Sequence, residues 1–267
     1  MVKKIFYINS EMEPFASVSN QGNLSIEMPL GLQEKGNDVR CLMPKYGFIS
    51  ERKYILREVI RLKEILFDYE DKSYECSAKS AFLPKSRLQV YFLENEEQFG
   101  DLNNLLFKSK NGRFLTDNDK RFAFYSLASI KILPNLFWFP NVIICNGWTS
   151  ALVPFLIKKI SGIDKNLAKI KTIFLTSSMN KDIIFDHSNL PFNSETLKEL
   201  KSLNFNQLGC AYADATIIVN DEEKISGKIM KSKVFKDSKK LSSVDLLKSE
   251  SSNNALLDEI ERVIKNL

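Results

Sequence analysis

The chain has one histidine, His187, in the polar run Phe185-Asp186-His187-Ser188-Asn189, so any nucleophile–base pair has a single possible imidazole. Asp186 could orient that ring, but the sequence places no nucleophile beside it, and a solvated loop histidine is expected. Ser177-Ser178 lacks the G-x-S-x-G turn that lifts a nucleophilic serine out of a strand–helix junction. Cys41, Cys76, Cys145 and Cys210 are widely spaced, with no CxxC pair. They read as small buried hydrophobes rather than disulfides or zinc ligands, and one histidine excludes a multi-histidine metal site. There is no GxGxxG fingerprint. Two features could still touch a ligand. The loop Ser17-Val18-Ser19-Asn20-Gln21-Gly22-Asn23 carries hydroxyl and amide groups able to hydrogen-bond a small anion or a sugar. Trp148 could stack on a sugar ring or pack at the start of its helix.

The elements that would position these residues follow a strand, loop, helix, strand pattern. Lys3 to Asn9 is a short apolar run of the kind that forms a buried parallel strand. After a polar loop, Leu24, Met28 and Leu32 recur at four-residue spacing, with Gly36 placed for a left-handed C-terminal cap and Pro29 predicting a kink. Asp38 to Pro44 reads as a second strand, so the opening resembles a doubly wound sheet. Segments 54–60, 63–69, 73–82 and 87–93, with turn residues between some of them, predict β-hairpins inserted after it. Acidic residues at 117–119 suit a helix N-terminus. Phe122, Tyr125, Ala128, Ser129 and Ile132 would line one face of the helix that follows. Strands are expected at 141–145, 171–176 and 215–219, and helices at 149–159 and ending at Ala213. The Lys/Ser-rich stretch 223–253 reads as a linker. Leu256, Ile260, Val263 and Leu267 give the last segment, 254–267, an apolar stripe that should dock on the body.

Composition narrows the class. At 267 residues, with 44% hydrophobic and 27% charged, the chain is globular, and its body (1–222) suits one large α/β domain. No stretch approaches the apolar length of a membrane span. The N-terminal apolar run is too short for a signal-peptide core, so a cytoplasmic protein without membrane association is expected. The net charge of +5 rests on 30 lysines and eight arginines spread along the chain. Nucleic-acid binders usually cluster arginine, whose planar fork pairs with phosphates and guanine edges, so a nucleic-acid partner is not expected.

Several segments, in order, resemble the N-terminal domain of bacterial glycogen synthases and plant starch synthases, glycosyltransferases with two Rossmann-like domains. Ser10-Glu11-Met12-Glu13-Pro14-Phe15-Ala16 is similar to the SEVAPFAKTGGLGD opening of that family. Met28-Pro29-Leu30-Gly31-Leu32, Gly36-Asn37-Asp38-Val39 and Met43-Pro44-Lys45-Tyr46 resemble its LPKAL, GHDV and MPRY segments. Asp117-Asn118 with Arg121-Phe122 through Ser126 resembles its DN…RF helix. Cys145, Trp148 and Ala151 to Pro154 fit the frame of CHDWHTALVP, Lys171 to Phe174 that of KTVF, and Tyr212-Ala213-Asp214 that of its YAD strand. The resemblance covers about residues 3–222. It implies a single GT-B-type N-terminal domain, α/β in class, with a Rossmann-like, doubly wound, mostly parallel sheet and inserted β-hairpins.

The departures fall on the chemistry the resemblance implies. Where the family holds nucleotide-sugar phosphates with a lysine and glycines, this chain has Ser17, Ser19 and Asn20; Gly22 is kept and the aspartate is Asn23. The histidines of HDWHT become Asn146 and Thr149 around Trp148, and the HN pair after the next strand becomes Ser177-Ser178. Ser17, Asn20, Gly22, Asn23, Asn146, Trp148, Thr149 and Ser177 are therefore the ligand-binding candidates, for a nucleotide sugar or a glucan, with no cofactor, no metal and no residue assigned to catalysis. The family's donor-binding half would begin near residue 230, where about 40 residues remain. Three readings follow. The first is a glycogen synthase-like protein without autonomous catalysis. The second is the acceptor-side half of a split glucosyltransferase, with a separate donor-domain protein as partner. The third is an unrelated nucleotide-binding Rossmann protein.

Overall fold

The computed structural model describes residues 2–69, 72–160, 164–177, 192–200, 203–220, 241–246 and 252–267. Its strands are β1 (Lys4–Ile8), β2 (Asp38–Pro44), β3 (Arg57–Glu58), β4 (Ile65–Tyr69), β5 (Lys72–Phe82), β6 (Gln89–Glu94), β7 (Val142–Asn146), β8 (Lys171–Thr176), β9 (Ala215–Asn220) and β10 (Leu241–Asp245). The α-helices are α1 (Gln21–Glu34), α2 (Glu51–Tyr54), α3 (Asn118–Lys131), α4 (Leu133–Leu136), α5 (Val153–Ile160), α6 (Ser194–Leu200), α7 (Phe205–Tyr212) and α8 (Ser252–Lys265). The sheet order is β10-β9-β8-β7-β1-β2-β6-β5-β3, with β4 paired to β5. All pairings from β10 to β6 are parallel, and only those involving β5 are antiparallel. This is a doubly wound, mostly parallel α/β sheet of the GT-B type.

The central strands are apolar on both faces because helices cover both. Ile5 through Ile8 and Val142 through Cys145 are almost completely buried. Phe6 meets the edge of Trp138 beyond α4, and the indole Nε1 donates to Asp38 at 2.7 Å. On the other face, Tyr7 lies beside Ser25 of α1. Helix α1 runs through Pro29 without ending there. It closes where Gly36, at φ 89°, lets the N–H of Gly36 reach the carbonyl of Gln33 and that of Asn37 reach Leu32.

The structure differs from the sequence expectations in four places. The segment 87–93 is not merely part of an inserted hairpin: β6 lies parallel to β2 and antiparallel to β5, joining the core sheet to its antiparallel flank. Helix α3 is buried on nearly all sides, Asn118, Asp119 and Arg121 included, because β6 and α5 pack on it and Phe67 and Tyr74 of the β4–β5 flank meet Phe124. The helix expected from Thr149 is a 3-10 turn at Trp148–Ser150 followed by α5. Pro154 falls in the first turn of α5, where its missing N–H costs nothing. Within the stretch read as a linker, Leu241–Asp245 form β10, parallel to β9. Residues 221–240 and 247–251 lie outside the described residues.

Helix α8 packs on α1, β9 and β10. Leu256, Ile260, Val263 and Ile264 are buried, while Leu267 is half-buried. A Cβ added to Gly31 of α1 would come within 2.5 Å of Leu257, so glycine permits the close approach. Lys35 pairs with Asp258 and Glu261 at the rim of this contact.

Candidate functional site

The strand order sets where a site can form. From β1 the chain moves outward through β2 and β6, and from β7 it moves the opposite way through β8, β9 and β10. The carboxyl ends of β1 and β7 are therefore the topological switch point, where diverging loops leave a crevice in open α/β sheets. The loops there are Asn9–Asn20 after β1, Gly147–Leu152 after β7 and the segment that starts at Ser177 after β8.

The first loop is organised by Glu11. Its Oε2 accepts hydrogen bonds from the backbone N–H groups of Val18 (2.8 Å) and Ser19 (2.9 Å), and the Ser19 hydroxyl donates to the same carboxylate. Glu11 is only 1% exposed. Burial raises its pKa; the bonds from Val18 and Ser19 and the charge of Lys108 offset part of that rise. Ser17 donates to the Ser19 carbonyl and lies directly over Gly22, where an added Cβ would come within 2.1 Å of its Oγ.

The other loops join α1 through neutral side chains. Gln21 donates from Nε2 to Ser177 Oγ at 3.0 Å, and its amide lies against Gly147, which adopts φ 79°. Asn146 donates to Ser25 Oγ at 3.0 Å, and Thr149 donates to Ser10 Oγ at 2.9 Å; all four side chains are buried. Asn9 extends β1 by one ladder bond, from its N–H to Leu42 O. The register Ile8↔Cys145 then makes it the lateral neighbour of Asn146. Its carboxamide is buried, and neither its oxygen nor its nitrogen has a hydrogen-bond partner among the described residues.

Of the eight candidates, Ser17, Gly22, Asn146, Thr149 and Ser177 converge on this crevice. Asn20 is exposed at the start of α1 and makes no capping side-chain bond. Asn23 turns away along α1 and donates to Glu27. Trp148 is 6% exposed and meets Phe107, Phe114, Phe122 and Phe205 with edge-to-face geometry, the centroids 5.0 to 5.9 Å apart. Ser178, Asp186 and His187 lie outside the described residues.

Sequence reasoning did not single out Glu11, Gln21, Asn9 or Lys108. Glu11 was visible in the Ser10–Ala16 segment, as a carboxylate among apolar and proline residues. Gln21 was visible only as one amide of the Ser17–Asn23 loop, since its partner Ser177 follows β8, and Asn9 carried no signal. Lys108 is one lysine among 30, and only the fold lays its ammonium over the Phe107 and Phe114 rings.

The cysteines are all buried and free. Burial pushes the Cys76 thiol up to about 12 and the other three higher still, which suits inert core residues. A separate cleft of about 490 Å³, lined by Tyr74, Asn95, Gln98, Lys120 and Phe124, opens between β5 and α3, beyond β2 and β6 from the switch point. Among the described residues, no helix is long and apolar enough to cross a membrane.

Residues 4–224 match the family model described as starch synthase catalytic domain. A glycogen synthase from Pelodictyon phaeoclathratiforme is 34% identical over 171 residues, covering 64% of this chain and 35% of that protein. One from Chlorobium limicola is 32% identical over 189 residues, covering 71% and 37%. The chain thus spans little more than a third of the length of these relatives. The catalytic domain of starch synthase IV from Arabidopsis thaliana, solved bound to ADP and acarbose, superposes with a TM-score of 0.72 at 20% identity over 91% of this chain and 51% of that one.

Proposed function

Because the chain belongs to the starch synthase catalytic domain family, we propose that it binds an α-1,4-glucan at the carboxyl ends of β1 and β7 and does not by itself transfer glucose from a nucleotide sugar. The observation that carries this reading is the composition of the crevice. Gln21, Ser177, Asn146, Ser25, Thr149 and Ser10 are neutral and bonded in pairs, while the acidic group at its edge is Glu11. Neutral amides and hydroxyls match sugar hydroxyls, which both donate and accept.

Transfer makes the opposite demand. A departing nucleoside diphosphate needs positive charge or free N–H donors aimed at it. Ser17 stands where the resemblance has the phosphate lysine, and Asn146 and Thr149 where it has histidines. Each missing charge-assisted contact costs roughly 1.5–3 kcal/mol, so two of them slow transfer by roughly a hundredfold or more. A second protein supplying those contacts would make this chain the acceptor-side half of a split transferase.

Co-sedimentation with glycogen tests the binding half. The chain should pellet with glycogen and be released by maltoheptaose. A chain that remains in the supernatant at every glycogen concentration contradicts the reading.

A further inference from the structure

Gln21 is the first residue of α1, and its side chain crosses from that helix to the loops that follow β7 and β8. Nε2 donates to Ser177 Oγ at 3.0 Å, and the rest of the carboxamide lies on Gly147. A Cβ at position 147 would come within 2.5 Å of Gln21 Oε1 and 3.1 Å of both Cδ and Nε2. Gly147 stands at φ 79° and ψ 170°, a region open in practice to glycine alone. The backbone of the β7 loop therefore requires a residue without a side chain at the place where the Gln21 amide rests.

The bond to Ser177 uses only part of what the two groups offer. A carboxamide has two N–H donors and an oxygen with two lone pairs; a hydroxyl has one donor and two lone pairs. The second N–H and Oε1 of Gln21, and the proton of the Ser177 hydroxyl, have no hydrogen-bond partner among the described residues. Both residues are half-buried, and Gln21 Oε1, unlike the amide of Asn9, is not sealed from solvent. The pair thus presents unused donors and an acceptor side by side at the carboxyl ends of the strands. Neighbouring hydroxyls on a pyranose ring are spaced like the two groups of this pair, and each of them both donates and accepts.

We propose that Gln21 is the specificity-determining residue of the crevice: together with Ser177 it takes two adjacent hydroxyls of one sugar residue, in a position that Gly147 leaves free. That this sugar belongs to an α-1,4-glucan rests on the reading above. Each internal residue of such a glucan keeps its 2- and 3-hydroxyls as free neighbours, whereas in a β-1,3-glucan the linkage takes the 3-oxygen.

The experiment is calorimetric titration of the whole chain with maltoheptaose and, separately, with laminariheptaose. The wild-type protein should bind maltoheptaose more tightly by roughly tenfold or more, which corresponds to about 1.4 kcal/mol. Gln21→Leu keeps the bulk of the side chain but removes its donors and acceptor, and should abolish most of that preference. Ser177→Ala should do the same, with the double variant no worse than either single one, because the two groups act as a unit. A merely structural role for Gln21 would weaken both sugars together and leave their ratio unchanged. A preference that persists in Gln21→Leu and in Ser177→Ala overturns the proposal and leaves the glucan reading in place. Equal binding of the two sugars by the wild-type protein overturns it as well, and that arm needs no variant to fold. A wild-type protein that takes up no maltoheptaose overturns the proposal and the glucan reading together.

Discussion

Arg121 and Glu11 are both buried ionic side chains, and they are compensated in different ways. Arg121, at the start of α3, donates to both oxygens of Asp117 (2.8 and 2.5 Å), to Asn118 Oδ1 and to the Gln98 carbonyl. Its charge is matched, and the Asp117 carboxyl is held below its usual range by the guanidinium. Glu11 has N–H and hydroxyl donors but, among the described residues, no cation bonded to it, and its carboxyl moves the other way, upward, under burial. The first arrangement holds a helix to the body. The second sets an acidic group beside the neutral pairs Gln21–Ser177, Asn146–Ser25 and Thr149–Ser10. In this fold, then, formal charge has remained where it supports structure. Where the family resemblance would place positive charge against a ligand, small neutral groups stand instead.

The largest effect should come from breaking the matched ion. Arg121→Met leaves Asn118, the Gln98 carbonyl and the half-exposed Asp117 without their donor, and should cost about 3 kcal/mol of unfolding free energy in urea. A loss under about 1 kcal/mol would mean that the α3 network is as dispensable as a surface pair.

The next largest should come from the crevice loop. Gly22→Ala drives a methyl into Ser17 and should cost about 1–3 kcal/mol, most of it recovered in the double variant with Ser17→Gly. Equal losses in the single and double variants would place the strain elsewhere. Thr149→Val removes the donor to Ser10 within a buried pair and should cost about 1 kcal/mol by the same denaturant measurement. An unchanged midpoint would show that this bond does not tie the β7 loop to the β1 loop.

The smallest effect is the most specific to the comparison, because the two carboxyls have opposite linkage. Glu11 has its folded-state pKa raised above the ordinary 4.5, so the folded chain binds its proton more readily than the unfolded one. The stability it contributes is present at low pH and is lost as pH rises through the folded pKa. Asp117, lowered from 3.8, contributes stability above that value and loses it as pH falls through its folded pKa. From just above pH 4.5 upward, the melting temperature of the wild-type protein should therefore fall relative to that of Glu11→Gln. Parallel curves for the two proteins would show that the burial of Glu11 carries no energetic weight.

Most of the fold was legible because it is written in local pattern. β1, β2, β7, β8 and β9 are apolar runs bounded by polar residues, which is how strands buried on both faces read. β6 was harder, since the run 87–93 does not say whether its neighbour is β5, β2 or both. β10 escaped because Leu241-Ser242-Ser243-Val244-Asp245 is an edge strand of mixed polarity inside a Lys/Ser-rich stretch. The near-complete burial of α3 was hidden by Asp119 and Arg121, whose charges suggest solvent until their surroundings are known.

The candidate site was chosen through resemblance rather than spacing. Ser17, Gly22, Asn146, Thr149 and Ser177 were singled out by position, but that Ser177, Asn146 and Thr149 bond to Gln21, Ser25 and Ser10 is visible only in the fold. Asn23, a candidate on the same grounds, faces Glu27 instead. Hydrogen bonds between loops that follow different strands depend on strand order, and strand order is not a local property of the chain.

Glucosyl transfer itself tests the central claim most directly. Purified chain is incubated with radiolabelled ADP-glucose or UDP-glucose and glycogen, and label in the precipitated polymer is compared with a heat-killed control. No incorporation above that control is predicted, both for the wild-type protein and for Ser17→Lys with Asn146→His. Label entering glycogen with no second protein present would contradict a crevice that binds glucan without transferring glucose.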